Sequence, residues 1–398
     1  MNKFLSSLWP RKAWKQALAL GLPIIVICVA LAVMLLDGRS PEIEPPLALH
    51  TQEIEEPDEP EEPEEPEEPE EPDEPEEPEE PEDPRPRALL TGIHIDEDYW
   101  ARRPIAVVIN NIHEAQPQSG IASADIIYEV LAEGHVTRFV AVFQSYIPEE
   151  IGPVRSARDY FVDMAFNHDA IFVHHGSSPS GTNRVSSTRV TALDGMRLEG
   201  RVFWRDRDNV PQWHRLRGRR RAIEHSSYTS YARISTHMAD QNIRDYISED
   251  HESGITFGEV PLAGTVGIAE RIVVPFSSTS PRIFIFDEET GQYLVEYHHG
   301  EHRDALTQEQ IAVSNILIQF TTIRVVDGAG RRNVQTVGEG EGYFITAGRY
   351  RPVRWAKESH TAPMRWYFED GTPLILAPGR TWINVFSGDV EFGSLSQE

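Results

Sequence analysis

Ten prolines recur at every third position from Pro57 to Pro84, separated almost throughout by pairs of Glu or Asp. Proline has no amide proton and a fixed φ, so neither a helix nor a sheet can run through such a stretch. Its period is that of polyproline II, and like charges on successive turns repel one another. At about 3.1 Å per residue the stretch predicts a semi-rigid rod on the order of 85 Å long, a spacer with no core of its own. Residues 41–84 carry 23 acidic side chains and no basic one, which accounts for most of the net charge of −27 over 398 residues. The remaining body, 85–398, holds 32 basic and 40 acidic side chains and has the apolar content of one large or two medium domains. The lone Cys28 excludes an intrachain disulfide and any cysteine-based zinc or iron–sulfur site.

Ala17 to Leu36 is free of charge, and as a helix it would reach about 30 Å, the thickness of a bilayer's hydrocarbon. Lys3, Arg11, Lys12 and Lys15 precede it and the acidic run follows, which keeps the N-terminus cytoplasmic and exports the bulk. The expected order is a cytoplasmic tail (1–16), a single transmembrane anchor (17–36), a disordered acidic stalk (37–87), an α/β domain (88–255) and a mainly β domain (256–398). A cleaved signal, with Cys28 as a lipidated residue, is the rival reading. Ile27 is bulky where lipidation needs a small residue, and eight apolar residues continue beyond Cys28.

Within the body, Ile105–Ile109, Ile126–Leu131, Phe139–Gln144 and Ile171–His174 read as strands rich in Val, Ile and Phe. Ser156 with Asp159 resembles a capping box, followed by apolar residues at helical spacing, and a second helix is expected over about Ser230–Ile243. From about Gly254 onward strands dominate: Arg282–Phe286, Tyr293–Tyr297, Asn315–Val326, Tyr343–Ala347, Val353–Ala356, Leu374–Leu376 and Trp382–Phe386. The fold class is therefore α+β, with an α/β half leading a β half.

Ile151-Gly-Pro-Val-Arg-Ser-Ala-Arg158 sets two guanidiniums and a hydroxyl at the start of the first helix, an arrangement suited to a carboxylate or phosphate. Arg138 and Arg103 add positive charge; the bland alternative pairs each arginine with Asp125, Glu129, Glu133 or Asp169. His174 and His175 end a strand where an α/β sheet presents ligand groups. His225, and the cluster His298, His299, His302 and Asp304, suit a metal only weakly, and neither HExxH nor GxSxG occurs. No metal or cofactor is expected. Gly338, Gly340 and Gly342 form a GxGxG that reads as a tight β turn. Eight arginines between Arg201 and Arg221, interleaved with Trp204 and Trp213, could neutralise a polyanion, with a solvated loop as the plainer reading.

Several of these segments resemble a known family. Arg103-Pro-Ile-Ala-Val-Val-Ile-Asn-Asn111, Pro117-Gln-Ser-Gly120, Ala124-Asp-Ile-Ile-Tyr-Glu129, Thr137-Arg-Phe139 and Ile151–Arg158 are similar to the N-terminal domain of the YerB family of bacterial lipoprotein-like proteins. Gly300-Glu-His-Arg-Asp304, Asn315 before a β run, Val353-Arg-Trp355 and Pro378-Gly-Arg-Thr-Trp382 resemble that family's C-terminal domain. The resemblance spans about 100–388 and implies an exported, membrane-attached, two-domain protein of unestablished activity. Where the family has Pro-His-Asn, this chain has Glu224-His225-Ser226, and its lipid-attachment cysteine is not convincingly matched.

Two function classes follow. One is a non-catalytic envelope protein that binds an anionic wall component or an envelope protein, and not nucleic acid, through Asn110, Arg138, Arg155, Ser156, Arg158 and His225. The other is an envelope hydrolase that uses Asp125, Glu129, Glu133 or Asp169 with His174 as acid and base. Both require Asn110, Glu129, Arg155 and His174 to converge on one pocket; divergence removes both as stated.

Overall fold

The computed structural model describes residues 83–208, 220–261, 264–277 and 281–395. The expected cytoplasmic tail, the expected membrane span and all of the expected stalk except 83–87 lie outside them, as do Trp213 and the middle of the arginine-rich run. Among the described residues no helix is long and apolar enough to cross a membrane.

The β-branched runs of the first half form β1 (Ile105–Asn110), β2 (Ile126–Glu133), β3 (Val136–Phe143), β4 (Ile171–His174) and β5 (Ala192–Asp194). β1 runs parallel to β4 and β4 to β5, while β3 lies antiparallel between β1 and β2. Thr381–Phe386 pairs parallel to β2 on its other side, with Ile126 opposite Thr381, and Asn315–Phe320 pairs parallel to it in turn. The antiparallel strands Gly338–Thr346, Arg349–Lys357 and Arg365–Phe368 complete the row. The mixed α/β region and the mainly β region thus build one continuous sheet.

β1 to β3 are buried on both faces, the reason for their nearly unbroken apolar composition. One face carries the helix Asp159–Phe166, which buries Tyr160, Phe161, Met164 and Ala165. A second, antiparallel sheet built around Arg271–Val274, Arg282–Asp287 and Gln292–Tyr297 covers the other. Its Ile272, Phe284 and Val295 share a core with Val107, Ile127 and Trp382.

Several local expectations change. The cap of the helix Asp159–Phe166 is Arg158 and not Ser156, whose hydroxyl instead donates to the His175 carbonyl at 3.1 Å. Asn315–Val326 breaks after Phe320, because Ile323–Val325 turns away to pair with Arg332–Val334. Gly338, Gly340 and Gly342 are strand, not turn. A Cβ at Gly340 would lie 2.7 Å from the ring of Trp355 on the neighbouring strand, so the missing side chain makes room for an indole. A helix over Pro179–Thr188 has almost no apolar periodicity to announce it; Pro179 at its first turn and Ser178, accepting from the Gly181 amide, start it.

At the contact between the two sheets lies an ion pair. Arg282 meets Glu129 through two hydrogen bonds of 2.8 and 3.1 Å, and both side chains are at most 2% exposed. Removing two charges from water is costly, and excess bonding compensates. Thr137 Oγ1 and Asn111 Nδ2 donate to Glu129 at 2.8 and 3.1 Å, and Arg282 reaches the Glu296 carbonyl at 3.2 Å. The guanidinium also lies over the rings of Tyr297, Trp382 and Phe139 at 4.3, 5.1 and 5.5 Å. Removing either partner strands a buried charge, so R282M and E129L are each expected to cost about 3–5 kcal/mol, while E129L/R282M costs less than the sum. Urea unfolding of the four proteins checks this; additive losses would mean that the two charges are not coupled.

Candidate functional site

β1, β2, β4 and β5 point the same way, so Asn110, Glu133, His174 and Asp194 all end at one edge of the sheet. There β1 and β4 separate, and the segment Pro153–Ala157 fills the gap. On one side Asn110 N donates to the Pro153 carbonyl and Arg155 N to the Val108 carbonyl, at 2.9 and 2.8 Å. On the other, His175 N donates to the Arg155 carbonyl and Ala157 N to the Gly176 carbonyl, at 3.0 and 2.9 Å. With both edges bonded, the wedge is held as firmly as a strand.

It delivers Arg155, Ser156 and Arg158 beside Arg138 at the start of β3. Arg138 Nη2 donates to Glu133 Oε2 at 2.8 Å, and Arg158 forms an ion pair with the other oxygen of the same carboxylate. Arg138 Nη1 also donates to the Ser156 carbonyl at 3.1 Å. Arg155 is half-buried and has no carboxylate in an ion pair with it among the described residues; its Nη1 donates to the Glu224 carbonyl at 2.7 Å. Burial, and then the neighbouring Arg138 and Arg205 guanidiniums, push Arg155 down to about 10. The Nε groups of Arg138, Arg155 and Arg158 are all buried without a hydrogen-bond partner among the described residues. Positive charge is therefore in excess here, and three donors are unused.

Neutral imidazoles surround the cluster. Arg205 Nη2 donates to His175 Nε2 at 2.6 Å, which leaves the proton on Nδ1, 2.8 Å from Ser227 Oγ. Burial, then Arg205, push His175 down to about 4. His225 Nδ1 lies 2.9 Å from Asn110 Nδ2 and accepts from it, and burial followed by Arg155 lowers its pKa. Arg205 and His175 were not among the expected binding residues. Arg205 sits in the arginine-rich run, and only the pairing of Phe203–Arg205 with Ser227–Thr229 turns it toward the cluster.

The other expected residues lie elsewhere. Strand alternation sends Glu129 to the opposite face from Asn110 and Arg138, into the pair with Arg282. Asp125 and Asp169 lie at the far edge of the sheet. Asp125 accepts from the Gln144 and Ser145 amides at 2.5 and 2.9 Å, and Asp169 holds Arg244 at 2.7 Å and Arg103 at 3.5 Å. His174 opens into a separate cavity, and its nearest carboxylate is Asp194 at 3.8 Å, none of the four expected. Asn110, Glu129, Arg155 and His174 thus fail to share a pocket; Arg138, Arg155, Ser156 and Arg158 do come together, around Glu133. His302 and Asp304 are both fully buried but serve different partners, Tyr297 and Gln118 for the first and the Ala122 amide for the second.

An unfolded histidine takes its proton near 6.5 whereas folded His175 resists protonation until about 4. Within that window the unfolded state binds more protons, so stability falls as pH is lowered from about 6.5 toward 4. H175Q is expected to flatten this slope in urea midpoints measured across the window, and an NMR titration should find the His175 ring neutral at pH 5. A ring titrating near 6.5 would contradict the assignment.

The family model described as Protein of unknown function (DUF3048) N-terminal domain matches residues 90–244, and its C-terminal counterpart matches 272–383. The Bacillus subtilis (strain 168) protein named "Putative lipoprotein YerB" is 32% identical over 315 residues, covering 78% of this chain and 89% of that protein. The crystal structure of YerB protein from Bacillus subtilis aligns with a TM-score of 0.66 at 30% identity, over 77% of this chain and all of that one.

Proposed function

Because the chain belongs to the YerB family, whose two domains of unknown function make up its body, we propose that it is a membrane-attached extracytoplasmic protein that binds an anionic envelope polymer at the arginine cluster. The crowding of Arg138, Arg155, Arg158 and Arg205 around Glu133 and Glu199 carries this reading. Glu133 already occupies the fork of Arg138 and Arg158 as an internal carboxylate, with 28% of its side chain exposed. An incoming phosphate would displace it, aided by Arg155, and by the Ser156 hydroxyl once that group turns from the His175 carbonyl to which it donates. Asn110, through His225, buttresses the loop whose Glu224 carbonyl positions Arg155.

The attachment rests on the uncharged run Ala17–Leu36 behind Lys3, Arg11, Lys12 and Lys15, and the lipoprotein name of the Bacillus subtilis relative points to the same compartment. A retained span and a lipidated Cys28 differ in outcome. With a span, C28A stays in alkali-washed membranes and its body is cleaved by protease added outside; release of C28A into the medium would favour lipidation.

Binding is tested with inorganic polyphosphate and orthophosphate. A charge-assisted hydrogen bond contributes about 1.5–3 kcal/mol, so R155A is expected to weaken polyphosphate binding roughly 10- to 100-fold. E133Q, which removes the internal competitor, is expected to strengthen it. Unchanged affinity in both variants, measured by calorimetry at fixed salt, would remove the cluster as the site.

A further inference from the structure

A second cavity opens beyond the carboxyl ends of β4 and β5, and none of its lining belongs to the arginine cluster. It has a volume of about 480 Å³, within the range of about 300–1,000 Å³ usual for small-molecule sites. Two buried imidazoles face it from different elements. His237, on the helix Tyr231–Asp240, is 7% exposed, and its Nδ1 has no hydrogen-bond partner among the described residues. A buried polar atom without a partner is costly unless something else supplies the bond. His174 donates from Nδ1 to the Gly176 carbonyl at 2.8 Å, which leaves Nε2 as a lone-pair acceptor.

Charge at the mouth has one sign in excess. Arg197 and Arg201 both line the cavity and are exposed, and neither has a carboxylate partner among the described residues. Asp194, the single carboxylate of the lining, is fixed by the Gly176 and Met196 amides, which donate to its Oδ1 at 2.9 and 3.0 Å. Apolar wall comes from Val185, Leu193, Leu198 and Ile243. Unpaired guanidiniums suit a carboxylate, the imidazoles an amide, and the aliphatic wall small apolar side chains.

We infer that this cavity binds the carboxyl end of a short aliphatic peptide, with Arg197 and Arg201 on the terminal carboxylate and His237 and His174 on the last amide. The site is independent of the arginine cluster and of polyanion binding there.

The probe is N-acetyl-dialanine against its C-terminal amide, titrated into the full chain by calorimetry. The free acid is expected to bind at least tenfold more tightly than the amide. R197A/R201A should remove that preference; both residues are exposed, so the unfolding midpoint should not move. H237F, which fills the position without a hydrogen-bonding group, should weaken both ligands. R155A should leave peptide binding intact while losing polyphosphate, which separates failure of this site from failure of the other. No binding of the acid, equal binding of acid and amide, or an acid preference that survives R197A/R201A would overturn the assignment.

Discussion

The Arg282–Glu129 pair connects the two halves of the body across its own interior. Glu129 belongs to β2 and Arg282 to the covering sheet, and each would be a stranded buried charge without the other. The bonding continues past the pair. Tyr297 Oη is bonded to Asn111 and Gln118, and Asp304 accepts from the Ala122 amide at 2.9 Å, links that join the early part of the chain to the late part, while the Tyr297–His302 bond ties the late side together. A network of this kind is favourable only when complete, which gives the fold one docking register for the second sheet. Together with Thr381–Phe386, which pairs beside β2, it makes each half the packing partner that the other needs. A rigid sheet results, on whose carboxyl edge side chains can be held in place without a bound partner.

Strand composition was enough to locate most of that sheet. Ile171–His174 matches at both ends, and β1 and β2 differ from expectation only at their carboxyl ends, because Val, Ile and Phe in short runs leave few alternatives. The sites were less legible, for a geometric reason. Residues 129 and 138 both look like charged groups near strand ends, yet pleating sends them to opposite faces, and the register that decides this is set by a neighbouring strand. The wedge Pro153–Ala157 was visible as a motif, but the gap it fills exists only because β1 and β4 diverge. Arg221 shows the same limit. It sits in a run of arginines that suggests solvent, yet it is 1% exposed and its Nη1 donates to the Ala115 carbonyl at 2.8 Å, a partner 106 residues earlier. Neither Arg197 nor His237 carried any local signal, since one lies in the single-turn helix Gly195–Leu198 and the other on an amphipathic helix whose buried face would hold a histidine for packing alone.

The occupancy of the Arg138–Arg158 fork by Glu133 constrains what the cluster can hold. An internal carboxylate competes at the effective concentration of a tethered group, of millimolar order for a short flexible tether and higher for a side chain fixed on a strand. A monovalent free carboxylate offers the same contacts and must also surrender its translational freedom, so it loses this competition. A phosphate brings more charge and a third acceptor oxygen, enough to engage Arg155 as well, and a polymer of phosphates adds rebinding of neighbouring groups once one is seated. The excess of guanidinium over carboxylate at this edge therefore favours a multivalent anion over a small one. The cavity beyond β4 and β5, with its carboxylate already fixed to backbone amides and its guanidiniums without a carboxylate partner, has no such internal occupant among the described residues, an arrangement suited to discriminating single small ligands. The two proposed anion sites on one sheet edge would thus differ in selectivity, because one contains its own competitor and the other does not.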